Sequence, residues 1–211
     1  MRNNENGRSM VEMLGVLAII GVLSAGGLAG YSKAMFKHKL NTTMEQITML
    51  VTNIRTAYGQ QRNYSGLDNS KALGLGIIPP VMGTDAAKLT NPFKGSVTIA
   101  AAQAKKGVDN SGFIVAYTKL PKEACIALAT SDFGSGAGSG FVGVDVLASN
   151  ATVAASSSTV YIGSGNGSFD DNGDLEANST SRNEGQAYAM GGENGAIAKC
   201  SEQATIIWKF Y

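Results

Sequence analysis

The sequence predicts an α+β protein in which one long N-terminal helix packs on an antiparallel β-sheet head. Three observations predict it. An apolar seam runs at helical spacing toward residue 61, two strand-like runs separated by a turn occupy the middle, and a β-branched, aromatic run closes the chain.

The helix comes first. Residues 13–28 carry no charge and little polarity beyond Ser24, and about 16 residues rise about 24 Å against a hydrocarbon core of about 30 Å. Met10, Val11, Ala29 and Tyr31 lengthen the run. Leu40, Met44, Ile47, Val51, Ile54 and Tyr58 then follow at steps of 4, 3, 4, 3 and 4, which is one helix face. Asn41, Thr42, Glu45, Gln46, Thr52, Asn53 and Arg55 are expected on the solvated side. No proline precedes Pro79, so one helix from about residue 9 to about residue 61 is predicted, roughly 80 Å long, with its first half projecting from the head. Residues 1–7 are polar, end in glycine and read as a leader with no fold of its own. Ser9 with Glu12 three residues on fits a capping box at the helix start.

Beyond the helix, Gly66, Gly74, Gly76 and Pro79-Pro80 predict a loop region. Residues 96–101 and 113–118 read as two strands of a hairpin. Residues 120–129 read as a short helix with Pro121 in its first turn, where a missing N–H is harmless, and Cys125 on it. From about 131 to 195 the composition shifts to Gly, Ser, Asn and Ala, with strand candidates at 141–147 and 159–162. Residues 204–211 are a strong strand signal.

Composition narrows the function. Charged residues make up 16%, against about 25% in an average domain. Polarity therefore comes from Ser, Thr, Asn and Gly, as suits an exposed extracellular surface. The net charge is +1, and without a basic block a nucleic acid has no electrostatic footprint to grip. His38 is the only histidine and lies beside Lys37 and Lys39, as an exposed stalk residue. With no second histidine, nucleophile elbow or nucleotide loop, an enzyme has little to work with, and no cofactor is implied. The run 170–176 sets Asp170, Asn172, Asp174 and Glu176 at alternate positions, as a calcium loop begins. Leu175 stands where such a loop needs glycine, so the run reads as a solvated turn and calcium is the weaker candidate.

Cys125 and Cys200 lie far apart with no CxxC, which leaves a disulfide or two unrelated thiols, and the membrane-length run upstream favours the disulfide. A bridge there would close a loop of about 75 residues and, on the chain-entropy estimate, stabilise by about 4 to 5 kcal/mol.

Four features together resemble a type IV pilin precursor of the type IVb family. Gly7 followed by Arg8-Ser9-Met10-Val11-Glu12 resembles the prepilin processing site, where the cut follows a glycine and a glutamate is fifth in the mature chain. The long helix resembles the pilin spine. Leu75-Gly76-Ile77-Ile78-Pro79, Asn91-Pro92-Phe93-Lys94-Gly95-Ser96-Val97-Thr98 and Tyr117-Thr118-Lys119-Leu120-Pro121-Lys122-Glu123-Ala124-Cys125 resemble the type IVb head in order and spacing. Cys200 followed by Thr205-Ile206-Ile207-Trp208-Lys209-Phe210 resembles the family's disulfide partner and last strand. The likeness covers about residues 7–130 and 198–211. Two departures stand out: Arg8 replaces the usual apolar first residue of the mature chain, and the spine has no kinking proline, leaving Gly21, Gly26, Gly27 and Gly30 as its weak points.

The resemblance implies the pilin fold, divided into a leader (1–7), a membrane and filament-core half-helix (8–31), an amphipathic half-helix packed on the head (32–61) and a head (62–211) whose variable region is bounded by a Cys125–Cys200 disulfide. It implies a prepilin held by a single pass in the inner membrane, cut after Gly7, N-methylated at Arg8 by the family pattern, and polymerised into an extracellular pilus for adhesion, aggregation or related tasks. The implied partners are like subunits, a prepilin peptidase, an assembly ATPase, an inner-membrane platform and an outer-membrane secretin. Glu12 would fix axial register by neutralising the new terminal amine at Arg8 of a neighbour. Gly26 and Gly30 form a small-xxx-small pair suited to close helix packing, or, through their low helix propensity, to local unwinding during assembly. Alternative readings are a minor pilin, a type II secretion pseudopilin or, from another class, a membrane-anchored extracellular binding module or enzyme. One signal disagrees: Lys33, Lys37 and Lys39 follow the apolar run while only Arg2 and Arg8 precede it, so the positive-inside count favours a cytoplasmic head. The cysteine pair and the polar head argue for the outside.

Overall fold

The computed structural model describes residues 5–104, 108–133, 140–147, 189–191 and 195–211, with 5–9 as backbone. The calcium candidates Asp170, Asn172, Asp174 and Glu176 and the strand candidate 159–162 lie outside the described residues. The chain divides into two units, Met1–Asn41 and Thr42–Tyr211.

Helix α1 runs Glu5–Tyr58, as the proline-free, seam-bearing sequence predicts. It begins ahead of Ser9, so Ser9 and Glu12 sit inside the helix and do not cap it, and the end of the polar leader is helical. Propagation from an established helix adds one hydrogen bond per residue fixed, and nothing in Glu5-Asn6-Gly7 is a strong enough breaker to stop it. At the other end α1 stops three residues short of 61, just before Gly59.

In the second unit, α2 (Asn69–Gly74) and two 3₁₀ turns (Pro80–Met82 and Ala86–Lys88) interrupt the region predicted as loop. Asp68 caps α2 by accepting from the Lys71 N–H at 2.7 Å, and Asp85 accepts from the Ala87 N–H at 2.9 Å. Asp side chains favour such caps because they satisfy helix-end donors. The sheet contains β1 (Val97–Ala102), β2 (Gly112–Leu120), β3 (Phe141–Leu147) and β4 (Ala204–Phe210), with α3 (Lys122–Ala129) and α4 (Ala196–Lys199) between strands. Pro121 is the residue before α3, one position earlier than predicted. The strand order is β1-β2-β4-β3, antiparallel throughout. The strand latest in sequence is therefore interior, and every residue of it is buried.

Register sorts the two sheet faces. Phe113, Val115 and Tyr117 oppose Phe210, Trp208 and Ile206, which in turn oppose Phe141, Val144 and Val146. On this face Phe113 stacks on Phe210 at 5.5 Å and Tyr117 meets Trp208 edge-on at 5.7 Å, geometries that aromatic quadrupoles favour. The C-terminal part of α1 covers it: Ile47, Leu50, Ile54 and Tyr58 are buried, and Tyr58 continues through Tyr64 to Phe113. The other face gathers small apolar side chains, Ala100, Ala102, Ile114, Ala116 and Ile207, with Lys209 among them in register. The helix is buried over more of its surface than the seam predicts. Gln46, expected in solvent, is buried, and Asn53 donates to the Ile77 carbonyl at 2.9 Å, because the loop before β1 covers a second flank.

Candidate functional site

The first candidate is the N-terminal part of α1. Its apolar side chains are exposed on every side: Leu14 63%, Leu17 62%, Ile20 53% and Val22 74%, positions that go around the helix. A helix apolar all round belongs inside a large core or in a membrane, and the window here has a mean hydropathy of 2.1. Glu12 is the lone charge between Arg8 and Lys33, and it too is exposed. Gly7 and Arg8 lie within the helix. A side chain added at Gly15, Gly21, Gly26, Gly27 or Gly30 would meet nothing within 4 Å. Nothing in the described chain therefore requires these five residues to be small, and each costs about 1 kcal/mol of helix propensity against alanine. Their smallness suits close approach by another helix.

The second candidate is the disulfide. Cys125 on α3 bonds Cys200, just past α4, with Cα atoms 5.7 Å apart and 75 residues of separation. Both cysteines are buried. The bridge ties α3 to the segment that leads into β4.

Two charged residues stand out: Lys209, given no role of its own by the sequence, and Arg55, expected on the solvated side but half-buried. Lys209 is fully buried in β4, its Nζ donates to the Gln103 carbonyl at 2.8 Å, and burial lowers its pKa to about 7. In sequence it is one polar residue inside a strand signal, where exposure is the default. Arg55 lies over the Phe210 ring at 5.5 Å, a cation–π arrangement. Its Nε and Nη2 are buried without a hydrogen-bond partner among the described residues. Met44, Val51, Phe133 and Phe210 join Arg55 in lining a groove of about 340 Å³. Burial also raises the Tyr117 phenol well above its usual range.

Among the described residues no cluster of His, Cys, Asp and Glu could hold a metal. His38 is exposed, as predicted.

Comparison with known proteins agrees with this arrangement. The Bundlin family profile matches residues 33–174. The chain is 31% identical over 134 residues to the major structural subunit of bundle-forming pilus from Escherichia coli O127:H6 (strain E2348/69 / EPEC), covering 63% of this chain and 68% of that protein. The subunit of the same name from Escherichia coli O111:H- gives the same figures. Among solved structures, TcpA, a type IV pilin from Vibrio cholerae El Tor biotype, superimposes with a TM-score of 0.52 at 16% identity, over 82% of this chain and 99% of that one. At such identity the likeness speaks for the fold, a long helix with an antiparallel sheet. With the family match, the alignment to the two Escherichia coli subunits and the shared fold taken together, the chain belongs to the Bundlin family of type IVb pilins, which are structural pilus subunits and not enzymes.

Proposed function

We propose that this chain is a major filament subunit, stored in the inner membrane as a prepilin, cut after Gly7 by a prepilin peptidase and polymerised through α1 into an extracellular pilus. The assembly ATPase, inner-membrane platform and outer-membrane secretin complete the route. The observation that carries the reading is the helix that is apolar and exposed on all sides, with Glu12 as its only charge between Arg8 and Lys33. Lipid covers such a helix before assembly, and neighbouring helices cover it afterwards. The names of the two Escherichia coli relatives support the major role and fibres that associate side by side.

Glu12 sets register. A carboxylate deep in lipid costs about 3 kcal/mol on insertion scales, less near an end, and a neighbour's new α-amino group at Arg8 offsets that cost in a fibre. Intact-mass measurement of membrane and sheared-fibre fractions tests the cut: fibre subunits should lack residues 1–7, and retention of those residues in all of the protein overturns the prepilin reading. A Glu12→Ala variant should be cut normally yet yield little fibre. Wild-type fibre yield from that variant would sink the register role.

A further inference from the structure

We propose that the groove beside Arg55 binds a straight-chain aliphatic carboxylate, with the carboxylate at Arg55 and the chain lying along α1 toward Met44. All the described residues that line it belong to the second unit, so the site owes nothing to the apolar half of the helix.

The shape comes from helical spacing. Met44, Thr48, Val51 and Arg55 line the groove at steps of 4, 3 and 4, a stripe along one side of α1 that rises about 16 Å from end to end. Phe133, on the segment after α3, and Phe210, on β4, complete the lining. A volume of about 340 Å³ is within the range of small-molecule sites, and spread along that stripe it suits an unbranched chain better than a ring. The walls are held in place without a ligand. Phe133 rests against Trp208 at 5.7 Å and Phe141 at 6.2 Å, and Val51 is buried. The Thr48 and Thr52 hydroxyls donate to the Met44 and Thr48 carbonyls at 2.9 and 2.8 Å, so neither calls for a polar group on a ligand.

One end of this apolar trough is cationic. Arg55 is half-buried over the Phe210 ring, and its Nε and Nη2 are buried with no hydrogen-bond partner among the described residues. The positions three and four away on α1 are Val51, Thr52, Tyr58 and Gly59, which supply no carboxylate. A cation drawn partly out of water without acceptors is costly, and a carboxylate is the acceptor that matches a guanidinium. Because the guanidinium charge is delocalised, a carboxylate that meets it from the groove compensates the whole group. Asp132 also borders the groove but is exposed, where water and salt weaken its repulsion. An apolar chain with an anionic end therefore matches both the lining and the cation.

The test uses the full chain in nanodiscs of zwitterionic lipid with a decanoate analogue that carries a diazirine on its chain. Labelled residues are read by peptide mass spectrometry, in competition with plain decanoate or decanol. The expected result is saturable labelling of residues 44–55 and Phe133, displaced by decanoate at a concentration on the order of tenfold below that of decanol. Arg55→Met should abolish the difference between the two competitors while keeping the wild-type Trp208 fluorescence. The decanol comparison is made on the unaltered chain, so it decides the matter even where Arg55→Met fails to fold. Equal displacement by decanol overturns the carboxylate's place at Arg55. Labelling that does not saturate, or that is confined to residues 10–31, overturns the groove as a site. Loss of the label as the chain is concentrated shows a second copy covering the groove and overturns the proposal as well.

Discussion

Lys209 in the buried central strand donates its ammonium proton to the carbonyl of Gln103, 2.8 Å away on the segment after β1. A buried cation held by a neutral acceptor is worse off than the same cation in water, and its pKa falls from 10.5 to about 7.

The sign of the pH dependence follows from this. Between about pH 7 and pH 10 the unfolded chain keeps the Lys209 proton that the folded chain releases. Folding stability therefore rises with pH in that window, by about 1.4 kcal/mol per pH unit at most. Below pH 7 both states are protonated and the contribution is at its lowest. Above pH 10 Tyr117 acts in the opposite sense, because its raised pKa keeps a proton on the folded chain. Urea denaturation of the detergent-solubilised chain at pH 7 and pH 9, followed by Trp208 fluorescence, should show the rise. Lys209→Met should flatten it.

Asn69 secures the outer edge of β1. Its Oδ1 accepts the Ile99 N–H at 2.7 Å, and its Nδ2 donates to the Val97 carbonyl at 3.0 Å and the Ala86 carbonyl at 3.1 Å. Asn69→Leu removes three bonds and leaves their backbone partners unsatisfied, at a cost of about 2 to 3 kcal/mol. Asn69→Asp keeps the acceptor and loses both donors, so equilibrium denaturation should place it between the two. Backbone groups freed on an edge strand also invite pairing with another chain, and light scattering of Asn69→Leu should report that association.

Gly95 is required by contact. A Cβ there would strike the Thr118 carbonyl and come within 2.8 Å of Asn91 Nδ2, the same amide that bonds the Thr118 carbonyl at 2.9 Å. Gly95→Ala should destabilise by about 3 kcal/mol. Gly74→Ala, where a Cβ meets nothing within 4 Å, should change stability by less than about 0.5 kcal/mol or raise it. Parallel thermal melts separate the two.

Reducing the Cys125–Cys200 bridge, or replacing both residues by serine, frees a loop of 75 residues. The chain-entropy estimate for that loop is about 4 kcal/mol. The unfolding midpoint should fall on adding reductant to the wild type and stay put in the double variant.

Most of the fold was legible because periodicity is local. The Leu40 to Tyr58 seam, the alternation in Phe113 to Tyr117 and the β-branched run at Ile206–Ile207 each declare an element within a few residues. Strand order was not legible, since whether Ile206 neighbours Tyr117 or Val146 depends on contacts across many tens of residues. Gln46 and Arg55 were assigned to the solvated face because one seam predicts one buried stripe, and nothing local reveals that the Ile77 segment meets the flank of Asn53 or that the Phe210 ring meets Arg55. Lys209 was invisible for the same reason: its burial is a property of the sheet, and its own strand signal looks the same exposed or enclosed. The exposed apolar helix and Glu12 were plain in sequence, because a long uncharged run with one carboxylate needs no tertiary information.

The interior place of β4 has a consequence for how the head is made. β2 and β3 each pair with β4, and among the described residues they do not pair with each other. Until the ribosome has delivered residues 204–210, β1 and β2 can form a hairpin, but β3 has no described partner and Trp208, the largest fully buried side chain, has not arrived. Completion of the sheet is thus a late, all-at-once event, and the bridge to Cys200 belongs to the same moment. A chain interrupted between β3 and Ala204 would leave the β4-facing edges of β2 and β3 open, a form readily distinguished by proteases from a finished subunit.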